Sequence, residues 1–154
     1  MPFTFAIETP IARPPAEVFD VVTDLGRLHE WQPMIVEVQQ LDAGPLRTGT
    51  RLREIREMRG RRLEQTVEVA AHEPGRRFGL RVLEGPLPVD GELRFEPDGA
   101  GTRLHLLATG RPHGAQRLLS PLLRAGLKRE FRKQYAALRE VVEAGDARGR
   151  VEAG

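Results

Sequence analysis

From residue 34 on, the hydrophobic period of this chain switches once from two to the helical value, and that switch limits its folds more than anything else. From residue 34 to residue 111 apolar side chains recur mostly at alternate positions; from 115 to 144 they recur every three or four. The period-two stretch is cut by turn residues: Gly44-Pro45, Gly60, Pro74-Gly75, Gly85-Pro86 and Asp98-Gly99-Ala100-Gly101. Strands are therefore expected at 34–42, 50–59, 61–73, 76–84, 87–97 and 102–111. Such short connections suit successive hairpins, hence an antiparallel meander.

The residues ahead of the meander add a strand and two short helices. Phe3, Phe5 and Ile7 alternate within 3–12, which reads as a strand. Pro15 suits a first helical turn, with Glu17 near the positive end of the dipole, and Val18, Val21, Val22 and Leu25 follow at helical spacing. Gly26 interrupts, and Leu28 to Trp31 forms a second short helix or turn stopped by Pro33. In the long C-terminal helix, Leu123, Leu127, Phe131, Gln134, Tyr135, Leu138, Val141 and Val142 share one face. Ser120-Pro121 reads either as its N-cap and first position or as a kink in a longer helix, and Gly145 as its end.

The expectation is an α+β fold: a curved seven-stranded antiparallel sheet wrapped on the long helix, with an internal cavity between them. One domain spans 1–145, and 146–154 is a disordered tail. A chain of 154 residues holds a proper core without staples. It has no cysteine, which excludes disulfides, thiolate metal sites and a cysteine nucleophile, and suits a reducing cytoplasm. No apolar run reaches membrane-spanning length and no signal peptide is evident, so no stable membrane insertion is expected. The net charge of +2 gives no reason to expect nucleic-acid binding.

Strand parity assigns the cavity wall. The inward sets are Leu63, Gln65, Val67, Val69 and Ala71; Phe78, Leu80 and Val82; Leu87, Val89, Gly91, Leu93 and Phe95; and Leu104, Leu106 and Ala108. His72 and His105 fall on the outer face. Strand 50–59 is ambiguous. If its even positions face in, Glu54 and Arg56 enter the cavity as a pair that anchors a polar ligand group; at a bulge or edge both stay wet. Trp31 suits the core or the cavity mouth. Phe131 and Tyr135 suit the core or a ligand box. The ligand-binding candidates are Trp31, Met34, Gln65, Val67, Phe78, Leu80, Leu93, Phe95, Leu106, Leu127, Phe131 and Gln134. Gln65 and Gln134 either pair with each other or water, or hold a ligand.

Catalytic signatures are scarce. His29, His72, His105 and His113 have no metal-ligand spacing, no phosphate loop or nucleophile elbow occurs, and Ser120 is the sole serine. No cofactor or metal is called for. The arginines between 51 and 62 lack the interleaved aromatics that stack on bases and read as a solvated hairpin tip. Only Glu54, Arg56 and Tyr135 remain as catalytic candidates.

The element order, with its punctuation, resembles the helix-grip fold of the START-like (SRPBCC) superfamily, and within it the bacterial polyketide cyclase/dehydrase and lipid-transport group. The resemblance covers 3–144. It rests on Ala12-Arg13-Pro14-Pro15-Ala16-Glu17-Val18-Phe19, Thr23-Asp24, Trp31-Gln32-Pro33, Gly49-Thr50, Val67 to Pro74, Gly85-Pro86, Phe95-Glu96-Pro97 and Gly101-Thr102-Arg103-Leu104. It implies binding or carriage of a small hydrophobic ligand such as a lipid, polyketide or isoprenoid. The alternative is a polyketide cyclase or dehydratase acting on a ligand in the same cavity. It leaves room for a homodimer. A protein-interaction module would need an exposed apolar patch, which neither helix face suggests.

Overall fold

The computed structural model describes residues 2–153, with side chains described through Gly145. Its strands are β1 (Phe3–Ile11), β2 (Ile35–Gln40), β3 (Arg51–Met58), β4 (Arg61–Glu73), β5 (Arg77–Glu84), β6 (Val89–Asp98) and β7 (Gly101–Gly110). Helix α1 (Pro15–Val22), a 3-10 turn (Leu25–Arg27) and α2 (Leu28–Trp31) lie between β1 and β2; a second 3-10 turn (Gly114–Leu119) leads into α3 (Ser120–Ala153). The sheet order is β1-β7-β6-β5-β4-β3-β2, every pairing antiparallel. This is the helix-grip architecture: one curved sheet holding one long helix, with the short helices closing one end.

Local chemistry explains the elements. Alternate residues of β1 are buried, with Phe3, Phe5, Ile7, Thr9 and Ile11 facing in. Helix α1 has Pro15 in its first turn and buries Val18, Phe19, Val21 and Val22; Glu17 at its start is held by Arg13. The β3–β4 hairpin turns at Arg59 and Gly60, at φ 49° and 76°, the two left-handed residues that match the twist of the flanking strands. Gly110 is demanded by close approach, since a Cβ there would overlap the Phe3 ring that packs across it. Leu138, Tyr135 and Val142 of α3 are buried in the main core with Phe5, Phe19, Phe95 and Leu104. Leu52, Val67 and Val82 form a smaller cluster on the other side of the cavity.

Several expectations are corrected. His72 does not point outward: its ring meets Phe19 edge-on at 5.3 Å between centroids. The cause is a register shift between Val69 and Ala71, after which His72 lies opposite the inward residue Phe78. Helix α3 does not stop at Gly145 but runs to Ala153, because one glycine costs a formed helix only about 1 kcal/mol. The disordered tail placed at 146–154 therefore falls on residues whose side chains lie outside the described set. Ser120 is not a hydrogen-bonding cap, since its hydroxyl is buried without a partner among the described residues. An exposed apolar patch is present after all: Leu118, Leu119 and Leu122, which open the helical region, stand out into solvent.

Candidate functional site

A cavity of about 100 Å³ lies between the sheet, α3 and the short helices. Its apolar wall comes from Leu52, Val67, Phe78, Leu80, Val82, Val89, Leu93 and Leu106 of the sheet, Phe131 of α3, and Val22, Leu25 and Leu28 of the short helical segment. Gly91 also borders it; a Cβ there would only reach ordinary contact with Leu106, so its absence leaves room without being sterically required.

The polar end is built on β3, and the ambiguity at 54 and 56 resolves inward. Glu54 is 3% exposed and Arg56 23%. Glu54 sits directly across the β3–β4 ladder from Gln65, and that register aims both side chains at one point. Gln65 Nε2 donates to Glu54 Oε2 at 2.6 Å, and an Arg56 Nη donates to the same oxygen at 3.2 Å. The same Arg56 nitrogen reaches Gln32 Oε1 at 3.3 Å, tying the strand to the residue after α2. A carboxylate this deep is tolerable because it accepts from two donors, one of them cationic.

Two donors are left over. Trp31 Nε1 and Arg56 Nε are buried and hydrogen-bonded to nothing among the described residues. Trp31 packs on Tyr135 at 5.5 Å, and Tyr135 lies nearly parallel to Phe131 at 6.4 Å. Burial pushes the Tyr135 phenol well above its ordinary value, offset only in part by the Arg56 charge. Tyr135 is therefore a neutral O–H donor at physiological pH. Trp31, Arg56 and Tyr135 all border the otherwise apolar chamber, a lining suited to an oxygen acceptor on an apolar body.

Of the sequence candidates, Trp31, Gln65, Val67, Phe78, Leu80, Leu93, Leu106 and Phe131 border this cavity, as do Glu54, Arg56 and Tyr135. Four do not. Met34 is half-buried ahead of β2, where its carbonyl accepts from the Glu57 amide. Phe95 packs edge-on against Phe19 instead. Leu127 packs, half-buried, on the main core. Gln134 is buried on α3 away from the cavity, and Gln65 pairs with Glu54 rather than with it. The sequence reading missed Gln32, whose signal was its place beside Trp31, and Val22, Leu25 and Leu28, whose helical period marked them as buried but not against what. Leu87, expected inward, precedes β6 and does not border the cavity. No three His, Cys, Asp or Glu side chains converge as a metal site among the described residues.

A family model described as polyketide cyclase / dehydrase and lipid transport matches residues 2–143. The chain belongs to that family. Solved structures agree on its fold. The protein TTHA0849 from Thermus thermophilus is 22% identical, with 93% of this chain and 99% of that one aligned at a TM-score of 0.78. The Zhui aromatase/cyclase from Streptomyces sp. R1128 is 21% identical over 93% of this chain and 94% of that one, TM-score 0.76. A START superfamily protein from Mycobacterium smegmatis is 16% identical over 92% and 97%, TM-score 0.75. No curated protein matches the sequence. Identities this low speak for the shared fold and not for a shared ligand. No helix among the described residues is long and apolar enough to cross a membrane.

Proposed function

We propose that the protein binds or carries a small hydrophobic molecule that bears a carbonyl, carboxylate or phenol oxygen at one end. The observation that carries this reading is a pair of buried donors without a partner among the described residues, Trp31 Nε1 and Arg56 Nε, on two residues that border the apolar cavity. An unpaired buried donor costs about 1–3 kcal/mol, and an entering oxygen would remove that cost. Size narrows the class. A cavity of about 100 Å³ is below the range of drug-sized pockets and nearer that of a single ring. A long acyl chain, polyketide or isoprenoid would fit only if α1 and α2 shifted outward.

Trp31 is the sole tryptophan and borders the cavity, so its fluorescence reports occupancy directly. Titration with a short fatty acid and with a single-ring phenol should change the Trp31 emission saturably at one site per chain. Leu93→Trp, with the second indole filling the chamber, should abolish saturable binding of both compounds, read by isothermal titration calorimetry. Equal binding by wild type and Leu93→Trp, or none by either, would sink the reading.

Ring closure on a bound polyketide-like chain, which requires that outward shift of α1 and α2, is a second reading, favoured by the inward placement of Glu54, Arg56 and Tyr135. In it Glu54 accepts the proton from the carbon between two carbonyls. That carbon attacks a second carbonyl of the same chain, and Arg56 or Tyr135 hydrogen-bonds the oxygen that gains charge. Incubation with a linear poly-β-ketone thioester separates the two readings. A carrier returns it unchanged, whereas a cyclase gives a ring isomer of the same mass or one lighter by water.

A further inference from the structure

The 3-10 turn ahead of α3 and its first turn expose three large apolar side chains, Leu118 at 86%, Leu119 at 52% and Leu122 at 72%. Single exposed leucines need no explanation; three neighbours on one short segment make a contact surface. The charge around them is one-sided. From Arg117 to Lys133 the chain carries six cations against Glu130 alone, a local charge of +5 in a protein of net charge +2. Helical phase sets Leu122, Arg129 and Lys133 on the side of α3 opposite Phe131 and Leu138, and all three are exposed.

Many cations of the sheet are held by carboxylates: Arg51, Arg53, Arg77 and Arg103 each meet one, as does Arg111 just after β7, whereas Arg61, Arg62 and Arg81 enter no ion pair among the described residues. Among the described residues no ion pair engages Arg117, Arg129, Arg132 or Lys133, and the guanidinium of Arg124 donates to the Thr4 carbonyl instead.

We propose that this face is a docking surface for an anionic lipid bilayer, with Leu118, Leu119 and Leu122 entering the headgroup boundary and Arg129 and Lys133 lying along lipid phosphates. Two alternatives fit less well. A second copy docked on the same face would set like charges against each other, and an acidic protein surface would satisfy the cations while leaving the leucines wet. The placement has a consequence for the cavity. Gln116 of the 3-10 turn donates to the Pro86 carbonyl at 3.0 Å, and the adjoining Gly85 packs against the cavity residue Gln65. A bilayer on this face would therefore lie beside the 85–88 loop at the cavity rim. The docking claim stands whether or not the cavity takes a ligand.

The test is flotation of the full chain with phosphatidylcholine vesicles and with vesicles in which about one third of the lipid is phosphatidylglycerol. Wild type should float with the anionic vesicles only, and lose that binding as salt is raised. Leu118→Ser/Leu122→Ser and Arg129→Glu/Lys133→Glu should each weaken it roughly tenfold or more while melting like wild type. Arg61→Glu/Arg62→Glu, on the exposed β3–β4 hairpin, should bind as wild type does. Equal binding to both vesicle types, no binding, or an equal loss in the hairpin variant overturns the proposal. So does sedimentation showing a dimer that the leucine variant dissolves, which would assign the face to a second copy.

Discussion

Two parts of the interior, filled by the same kinds of residue, end up unlike each other. Around Phe19 the space between α1 and the sheet is closed by rings. Phe19 meets His72, Phe78 and Phe95 edge-on with centroids 5.3, 6.2 and 5.3 Å away. Around Phe131 the rings form a row rather than a nest: Phe5 of β1, Phe131 and Tyr135 of α3 and Trp31 of α2 follow one another at 5.6, 6.4 and 5.5 Å, while β5 and β6 offer the cavity Leu80, Val82, Val89 and Gly91 beside the single ring of Phe78. Rings converging edge-on from α1, β4, β5 and β6 fill a volume; a row of rings facing mostly smaller side chains leaves one. The aromatic nest anchors the fold, and the half-filled end leaves the cavity.

Paired truncations should break that comparison most visibly. Phe19→Ala removes a ring that is 4% exposed and should cost about 3–5 kcal/mol of stability. Phe131→Ala removes a half-buried ring that already borders empty space, and should cost roughly half as much. Urea unfolding of both variants checks this. Equal losses would mean that the cavity end is packed as tightly as the nest.

Glu54→Leu should have a smaller effect, about 1–3 kcal/mol, because it strands the Gln65 amide and part of the Arg56 guanidinium without their shared acceptor. Gln134→Leu, a buried amide outside the cavity, should leave ligand affinity unchanged, whereas Gln65→Leu should lower it. If both glutamine variants bound the same ligand equally to wild type, the polar end would be structural only.

The contrast between the two regions also marks how far the sequence could be read. Strand positions were legible because Gly and Pro punctuate them and because burial on one face enforces a period of two, as in β1. Parity then placed Phe78, Leu80, Leu93 and Leu106 correctly. It failed at His72, where one shifted residue in the β4–β5 pairing reverses the face and nothing local in the sequence announces the shift. It stayed undecided on β3, because Glu54 and Ile55 are both buried and the strand shows no clean alternation. Gln32, Val22, Leu25 and Leu28 reach the cavity only through the docking of short helices, a tertiary event that periodicity does not encode. Phe95 and Leu127 shared the right face but sit beyond the reach of the cavity: parity gives a direction, not a distance along the strand or helix.

The smallest effect belongs to Tyr135, and it separates a closed chamber from a wet one. This is the sole tyrosine, so its ionisation is spectroscopically isolated. Burial pushes its pKa above the ordinary value near 10, favouring the neutral phenol in the folded state. The sign follows from linkage. The folded protein holds this proton more tightly than the unfolded chain does, so the contribution to stability is whole below about pH 10 and is lost as pH rises beyond it. Alkaline titration followed by tyrosinate absorption should therefore show no ionisation until the protein unfolds, and circular dichroism should lose its signal over the same pH range. A ligand bound in the cavity should move both transitions to higher pH together. A tyrosinate signal that rises near pH 10 with the fold intact would mean that water reaches Tyr135 freely, and the difference drawn between the two ends of the interior would then be one of solvent access rather than packing.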